Sequence, residues 1–380
     1  MNRPDLLIVG AGLSGGLLAY RLAQARPELS VLVVDGGEPG GNHTWSFHED
    51  DLGVLEEYWL EPLIEHRWPA YEVRFPGRRR RMATGYRSVS SERFRDVLAA
   101  RLGSSLQTGR SAVAIEPHRV IFEGGEAIEA GAVIDARGPR ATPHLSLGFQ
   151  KFLGQELEFE RPHGLAEPIV MDATVEQDDG YRFVYCLPFS PTRMLIEDTY
   201  YADGEGLPRA LLRERIAAYA GASGWGAYRV LREEDGILPI ALGGDIDAHL
   251  ADLRGVPTVG LAAALFHPTT GYSLADAVCT ADFVAGLSLL SAPDLSRALA
   301  DHSRNVWADR AYFRGLNRML FKAGKASERY RVLEHFHRLP DDLIARFYAS
   351  RLTMLDKGRI LVGKPPVPVA SALRALLQGR

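Results

Sequence analysis

Apolar positions along this chain recur with two periods, and the points where one period replaces the other mark its parts. The run Leu6–Val9 is apolar throughout, as suits a parallel strand buried on both faces; an amphipathic helix follows, then a second apolar run, Val31–Val34. Ser91 is placed to cap a helix whose apolar positions Phe94, Val97, Leu98 and Leu102 share a face and which Gly103 ends. Short strands are expected near 111–115 and 120–122, and AVIDARG, residues 132–138, returns the chain to the first sheet. Between 150 and 235 the pattern changes to strand-length apolar runs at 169–175, 181–187 and 194–201, separated by Asp178-Asp179-Gly180 and Ser190-Pro191-Thr192. These predict an antiparallel sheet. A helix over 207–219, a strand over 256–261 and a helix near 274–290 complete the pattern.

The turn after the first strand carries chemistry. Gly10, Gly12 and Gly15 stand in G-x-G-x-x-G spacing: the first permits a tight turn, the second lets backbone N–H groups approach a pyrophosphate, and the third allows close packing of helix on strand. Asp35 ends the second strand, twenty residues past Gly15, where a carboxylate accepts ribose hydroxyls. An acid there favours a free 2′-hydroxyl, hence FAD or NAD over NADP. The expected fold is α/β, with a discontinuous Rossmann-like FAD-binding domain (1–149 and 236–290), an inserted antiparallel β-sheet substrate lobe (150–235) and a helical C-terminal region (291–380).

Composition narrows the partners. The net charge of −4 over 380 residues gives no reason to expect nucleic acid, and no zinc-type Cys/His spacing occurs, so no metal is expected. Two cysteines fit a reducing cytosol, and the start of the chain does not read as a signal peptide. The uncharged run 255–275 contains two prolines, a histidine and several threonines, so it makes a poor bilayer span. The charge is uneven, however: residues 304–380 hold 16 basic and 6 acidic side chains, a net of +10, against −14 for the rest. Within that segment Phe313, Leu316, Met319 and Leu320 alternate at helical spacing with Arg314, Arg318, Lys322 and Lys325. Such a helix suits either an anionic membrane surface or ordinary packing on the domain.

Three further stretches concentrate functional side chains. GNHTWSFHED, residues 41–50, gathers Asn42, His43, Trp45, Phe47 and His48 in a loop that lines a site or merely closes one. RMLIEDTYY sets adjacent acids Glu197 and Asp198 in an apolar strand, where alternation sends them to opposite faces and an apolar setting would raise a carboxyl into the range of a general acid. LFHPTTGYS, residues 265–273, forms a second strand-to-helix turn in which Pro268, Thr269, Thr270, Gly271 and Tyr272 are candidates to meet a flavin, and His267 is either structural or a proton carrier. The run Arg78 to Arg81 reads as a solvated loop, or less simply as a lipid contact.

GAGLSGGLLAYRL, GGNHTWSFH, VRFPGRRRRM, MLIEDT, HPTTGYS and GKPPVPV together resemble the bacterial lycopene beta-cyclases, a likeness running over 6–369. The resemblance implies cyclisation of the linear ends of lycopene and related carotenoids to beta-ionone rings, an isomerisation without net electron transfer that requires reduced FAD, with NAD(P)H as electron source. It implies Glu197 as the essential acid, with Asp198 and His267 as further catalytic candidates, and Trp45, Phe47, Tyr181, Tyr185 and Tyr272 as aromatic walls for a cation. It also implies a cytoplasmic enzyme held peripherally on the inner face of the membrane. The wider flavin monooxygenase group usually has Gly-Asp before the last ligand loop, and here Gly260 is followed by Leu261. The alternative function is an FAD-dependent polyprenoid reductase or monooxygenase, for which that Asp would be expected.

Overall fold

The computed structural model describes residues 3–178 and 180–362. The GKPPVPV motif, the remainder of the basic C-terminal segment, and Asp179 of the expected 178–180 turn lie outside the described residues.

Four parallel strands form the first sheet in the order Ala132–Asp135, Leu6–Val9, Val31–Val34, Leu106–Gln107. Leu6 and Ile8 point into a core shared with the helices Leu13–Ala25, Ser91–Leu102 and Leu274–Ala285, while Leu7 and Val9 point into one shared with an antiparallel sheet of Ala112–Glu116, Arg119–Phe122 and Ala127–Glu129. Burial on both faces explains why the first strand is apolar throughout. Two local expectations are corrected. The helix Ser91–Leu102 is capped by Ser90, whose extended backbone lets its Oγ accept the Arg93 N–H at 3.1 Å, and Ser91 lies already inside the helix. The expected strand over 256–261 is reduced to one bridge from Thr258 to Asp135, because Pro257 has no N–H to give and Gly260, at φ +71°, turns the chain into a short 3₁₀ helix, Gly260–Ala263.

The second lobe is one seven-stranded sheet in the order Tyr228–Gly244, Leu145–Phe159, Arg193–Ala202, Tyr181–Pro188, Ile169–Asp172, Tyr71–Phe75, Arg78–Met82. It reaches beyond the 150–235 segment at both ends and takes in two strands from the first quarter of the chain. The two longest strands, of 15 and 17 residues, were hidden in the sequence by internal glycines and by acids that break the apolar alternation. The arginine run is not a loop: it forms the edge strand, where Arg80 donates to the carbonyls of His337 and Leu339 (both 2.7 Å), Arg79 pairs with Glu72 and Arg81 with Glu167.

Both faces of this sheet are covered. The helix Arg209–Ala222 packs its Leu212, Ile216 and Ala220 on one face, and the helices Ala311–Lys322, Tyr330–Phe336 and Asp341–Tyr348 cover much of the other. The basic helix thus resolves as a packed one. Phe313 and Leu320 are buried, Arg314 lies over the Trp307 ring at 4.0 Å, and Arg318 donates to the Leu242 carbonyl at 2.6 Å, so neither arginine is free for a membrane headgroup. Lys322 and Lys325 stay exposed. No helix among the described residues is long and apolar enough to cross a membrane.

On the face covered by Arg209–Ala222, Asp198 is wholly buried and takes the Arg182 guanidinium at 2.6–3.1 Å. Burial lifts its carboxyl above the ordinary range and Arg182 opposes that lift. Removing one member of a buried ion pair leaves the other uncompensated, so Asp198→Ala is expected to cost about 3–5 kcal/mol in urea unfolding. Pairing Arg182→Met with Asp198→Leu is expected to recover most of that loss.

Candidate active site

The glycines divide their work as their spacing foretells. Gly10 has φ +106° and a Cβ there would meet the Ala136 carbonyl oxygen at 2.5 Å; at Gly15 a Cβ would meet the Gly10 carbonyl oxygen at 2.0 Å. A Cβ at Gly12 would meet nothing within 4 Å and would stand in the cavity that the turn borders. Asp35 accepts the Ala11 N–H (2.6 Å) on one oxygen and the Gly37 N–H (2.7 Å) on the other, which fixes its carboxylate at the cavity wall. Its remaining lone pairs are open to sugar hydroxyls. A glycine cradle, a helix N-terminus and a fixed acid suit a dinucleotide such as FAD.

This cavity, about 550 Å³, continues from the glycine turn to the seven-stranded sheet. Its second wall carries Trp45, Phe152, Tyr185, Glu197 and Tyr272, with Leu261 from the 3₁₀ helix Gly260–Ala263 and Gly271 from the turn before the helix Leu274–Ala285. Glu197 stands in a cross-strand row: Tyr185 is opposite it on one side and Gly154 on the other, and Glu234 is opposite Gly154 on the next strand. Directly opposite residues share a face. The missing side chain at Gly154 leaves the two glutamates only its space to cross, since a Cβ there would lie 3.3 Å from Glu234 Cγ and 3.5 Å from Glu197 Cγ.

Glu197 is half-buried and borders the cavity. Burial first, and the charge of Glu234 second, push the carboxyl up to about 8, against a 2.6 Å hydrogen bond from the Thr199 hydroxyl. It therefore holds its proton near neutral pH. Beside it the Tyr185 hydroxyl donates to Tyr86 Oη at 3.0 Å, and burial holds the phenols of Tyr185, Tyr86 and Tyr272 far above their usual range, so all three are neutral.

Several expected residues lie elsewhere. Asp198 faces away from the cavity, as alternation requires. His267 does not reach it: Nε2 donates to the Phe347 carbonyl (3.1 Å), Nδ1 accepts the N–H groups of Thr269 and Thr270 (both 3.3 Å), and burial depresses the ring to about 4, which leaves a neutral structural imidazole. Pro268, Thr269 and Thr270 shape the turn, their carbonyls and hydroxyl spent on Asn317, Tyr201 and the Tyr272 N–H, and only Gly271 and Tyr272 border the cavity. Phe47 lies in the core of the first domain, and Tyr181 in the aromatic core under the C-terminal helices. Phe152 and Glu234 were missed. The acid run Glu233-Glu234-Asp235 is the available signal, since alternation along a strand sends its middle member to the face opposite its two neighbours, so at least one acid must face the interior if one face is buried.

The sequence model of the family described as lycopene cyclase protein matches residues 5–374. The chain is 49% identical to lycopene beta-cyclase of Pantoea ananas, covering 98% of each chain, and 50% identical to lycopene beta-cyclase of Pseudescherichia vulneris, covering 98% of this chain and 97% of that one. Among solved structures it is similar in fold to p-nitrophenol 4-monooxygenase from Pseudomonas putida (TM-score 0.60, 15% identity, 95% and 99% of the two chains). A geranylgeranyl bacteriochlorophyll reductase-like protein from Thermoplasma acidophilum is also similar (TM-score 0.57, 14% identity, 99% and 96%). The fold is thus that of Rossmann-type flavoprotein monooxygenases and reductases, and the chain, matched over nearly its whole length by the sequence model and by close relatives, belongs to the lycopene cyclase family.

Proposed function

We propose that this protein is a lycopene beta-cyclase: it closes the linear ends of lycopene to beta-ionone rings by acid catalysis without net redox change, with FAD in the glycine-lined cleft and NAD(P)H as the source that keeps it reduced. The observation that carries this reading is Glu197, a carboxyl that keeps its proton near neutral pH inside a cavity continuous with that cleft. Protonation of C2 of the terminal C1=C2 bond by Glu197 leaves a tertiary cation at C1. The C5=C6 bond closes on it, and loss of the C6 proton restores neutrality, so one proton enters and one leaves per ring. The carboxylate left on Glu197 is the basic group at hand to take that proton back. Trp45, Phe152, Tyr185 and Tyr272 exclude water and offer ring faces to the cation. Reduced flavin, when bound, supplies negative charge to the same cavity. Leu261 at the cavity wall, where hydroxylating relatives of this fold usually carry Asp, disfavours the monooxygenase alternative.

The membrane contact moves with the structure. Arg314 and Arg318 are spent inside the fold, whereas Val54, Leu55 and Tyr58 on the helix Val54–Leu60, and Met354 and Leu355 on Met354–Leu361, are each about four-fifths exposed. Arg351 reaches the Asp51 carbonyl at 3.4 Å, which brings the starts of these helices together. A hydrocarbon substrate dissolves in the bilayer, and this apolar patch is the surface suited to reach it.

Three outcomes test the reading. Gly12→Val is expected to fold normally yet purify without flavin absorbance, because its side chain enters the cleft and touches nothing else. Glu197→Gln is expected to lower ring formation about 10²–10⁴-fold with flavin retained. In the native enzyme, kcat/KM is expected to hold below about pH 8 and to fall tenfold per pH unit above it, as an acid raised to about 8 loses its proton; the product must equal lycopene in mass. Replacing Val54, Leu55 and Tyr58 together by Ser is expected to weaken cosedimentation with liposomes at least about tenfold, while charge reversal at Arg314 and Arg318 lowers stability instead.

A further inference from the structure

Glu234 has no part in the chemistry derived above, yet its position is built with care. It is 4% exposed and sits in the Tyr185–Glu197–Gly154–Glu234 row, two strands from Glu197, on the same face. Cα atoms two strands apart are about 10 Å from each other, and the empty space at Gly154 is what lets the two side chains lean together. From behind, the Glu234 carboxylate accepts from the Arg232 guanidinium at 2.6 Å and from the Thr44 hydroxyl at 3.1 Å, and Arg232 also donates to Thr44 Oγ1 at 2.8 Å and Asn42 Oδ1 at 3.1 Å. Asn42 in turn donates to the Glu233 carbonyl at 2.6 Å. The expected loop over 41–50 is in part a strand, Thr44–His48, paired with Tyr86–Ser90; the segment 42–45 that leads into it places His43, Thr44 and Trp45 on the cavity beside the glycine turn and is fastened to the seven-stranded sheet through the same carboxylate that faces Glu197.

Resting on the cyclase reading, we propose that Glu234 is the positioning partner of Glu197: held as a carboxylate by Arg232 and Thr44, it faces the catalytic carboxyl across Gly154 and keeps the proton on it until substrate arrives. The groups around the pair agree with this. Glu197 meets Tyr185 and Tyr272, both neutral, with Asp198 behind it on the other face and already paired to Arg182. Glu234 meets Arg232, with Glu156 from Leu145–Phe159 and Glu92 from Ser91–Leu102 sharing that guanidinium, and Glu156 also pairs with Arg193. Arg232 is thus divided among three acids, and its field on Glu197 is largely spent. Burial raises the Glu234 carboxyl and Arg232 and Thr44 oppose that, which leaves it at about 7: it is half charged at neutral pH and mostly charged by the pH at which Glu197 loses its proton.

The test is Glu234→Gln, which keeps the shape and removes the charge. Its alkaline limb in kcat/KM against pH is expected to move down by about one pH unit, because the like charge that holds the Glu197 proton is gone; a merely structural role would lower the plateau and leave the limb in place. Infrared titration of the protonated-carboxyl band needs no turnover and reads the same coupling directly. In Glu234→Gln the Glu197 band is expected to disappear at lower pH, whereas in Glu197→Gln the Glu234 band is expected to keep its pH, because Glu197 is still protonated when Glu234 ionises. An unchanged Glu197 band in folded Glu234→Gln overturns the proposal. Coupled bands in a protein that forms no rings from lycopene would instead overturn the cyclase reading and leave the pairing of the two glutamates standing.

Discussion

A carboxyl group taken out of water without an opposite charge is stable only if it takes up a proton, and the architecture around Glu197 meets that condition by geometry. The strand Arg193–Ala202 is covered on both faces, so neighbouring acids on it must each find a solution indoors. Asp198 finds Arg182. Glu197 meets a hydroxyl, neutral phenols and a second acid, and its carboxyl keeps its proton near neutral pH. Two adjacent acids thus acquire different surroundings, one paired to Arg182 of the neighbouring strand and one facing the cavity.

The rest of the molecule encloses that carboxyl. The parallel sheet and the glycine turn set a cleft suited to a dinucleotide against the same cavity, and the segment 42–45 joins the two through Arg232 and Glu234. The C-terminal helices contribute aromatic and aliphatic side chains over the sheet, and the arginines that look like a membrane-binding stripe are instead tied to carbonyls and rings within the fold. On a flavoprotein fold shared with monooxygenases, the acid that holds its proton, the aromatic wall and the leucine at position 261 are local features of a common scaffold.

The first domain was legible in the sequence because its signals are local. Gly10, Gly12, Gly15 and Asp35 stand within about thirty residues of chain and act largely through backbone shape, which spacing alone can encode, although the strand end that Gly10 and Gly15 approach, at Ala136, is remote in sequence. The alternation that separates Glu197 from Asp198 is likewise a property of any strand, whichever fold contains it. Only the tertiary structure could decide what each face meets. Glu234 becomes a partner of Glu197 solely through the register of three strands and the gap at Gly154. His267 loses its apparent chemistry because Phe347, eighty residues away, takes its proton-bearing nitrogen, and Arg314 loses its apparent role because Trp307 and the sheet lie beneath it. Sequence fixes which side chains are available and how they alternate; burial, charge pairing and the pKa shifts that follow depend on neighbours remote in the chain, and those exist only once the sheet has closed.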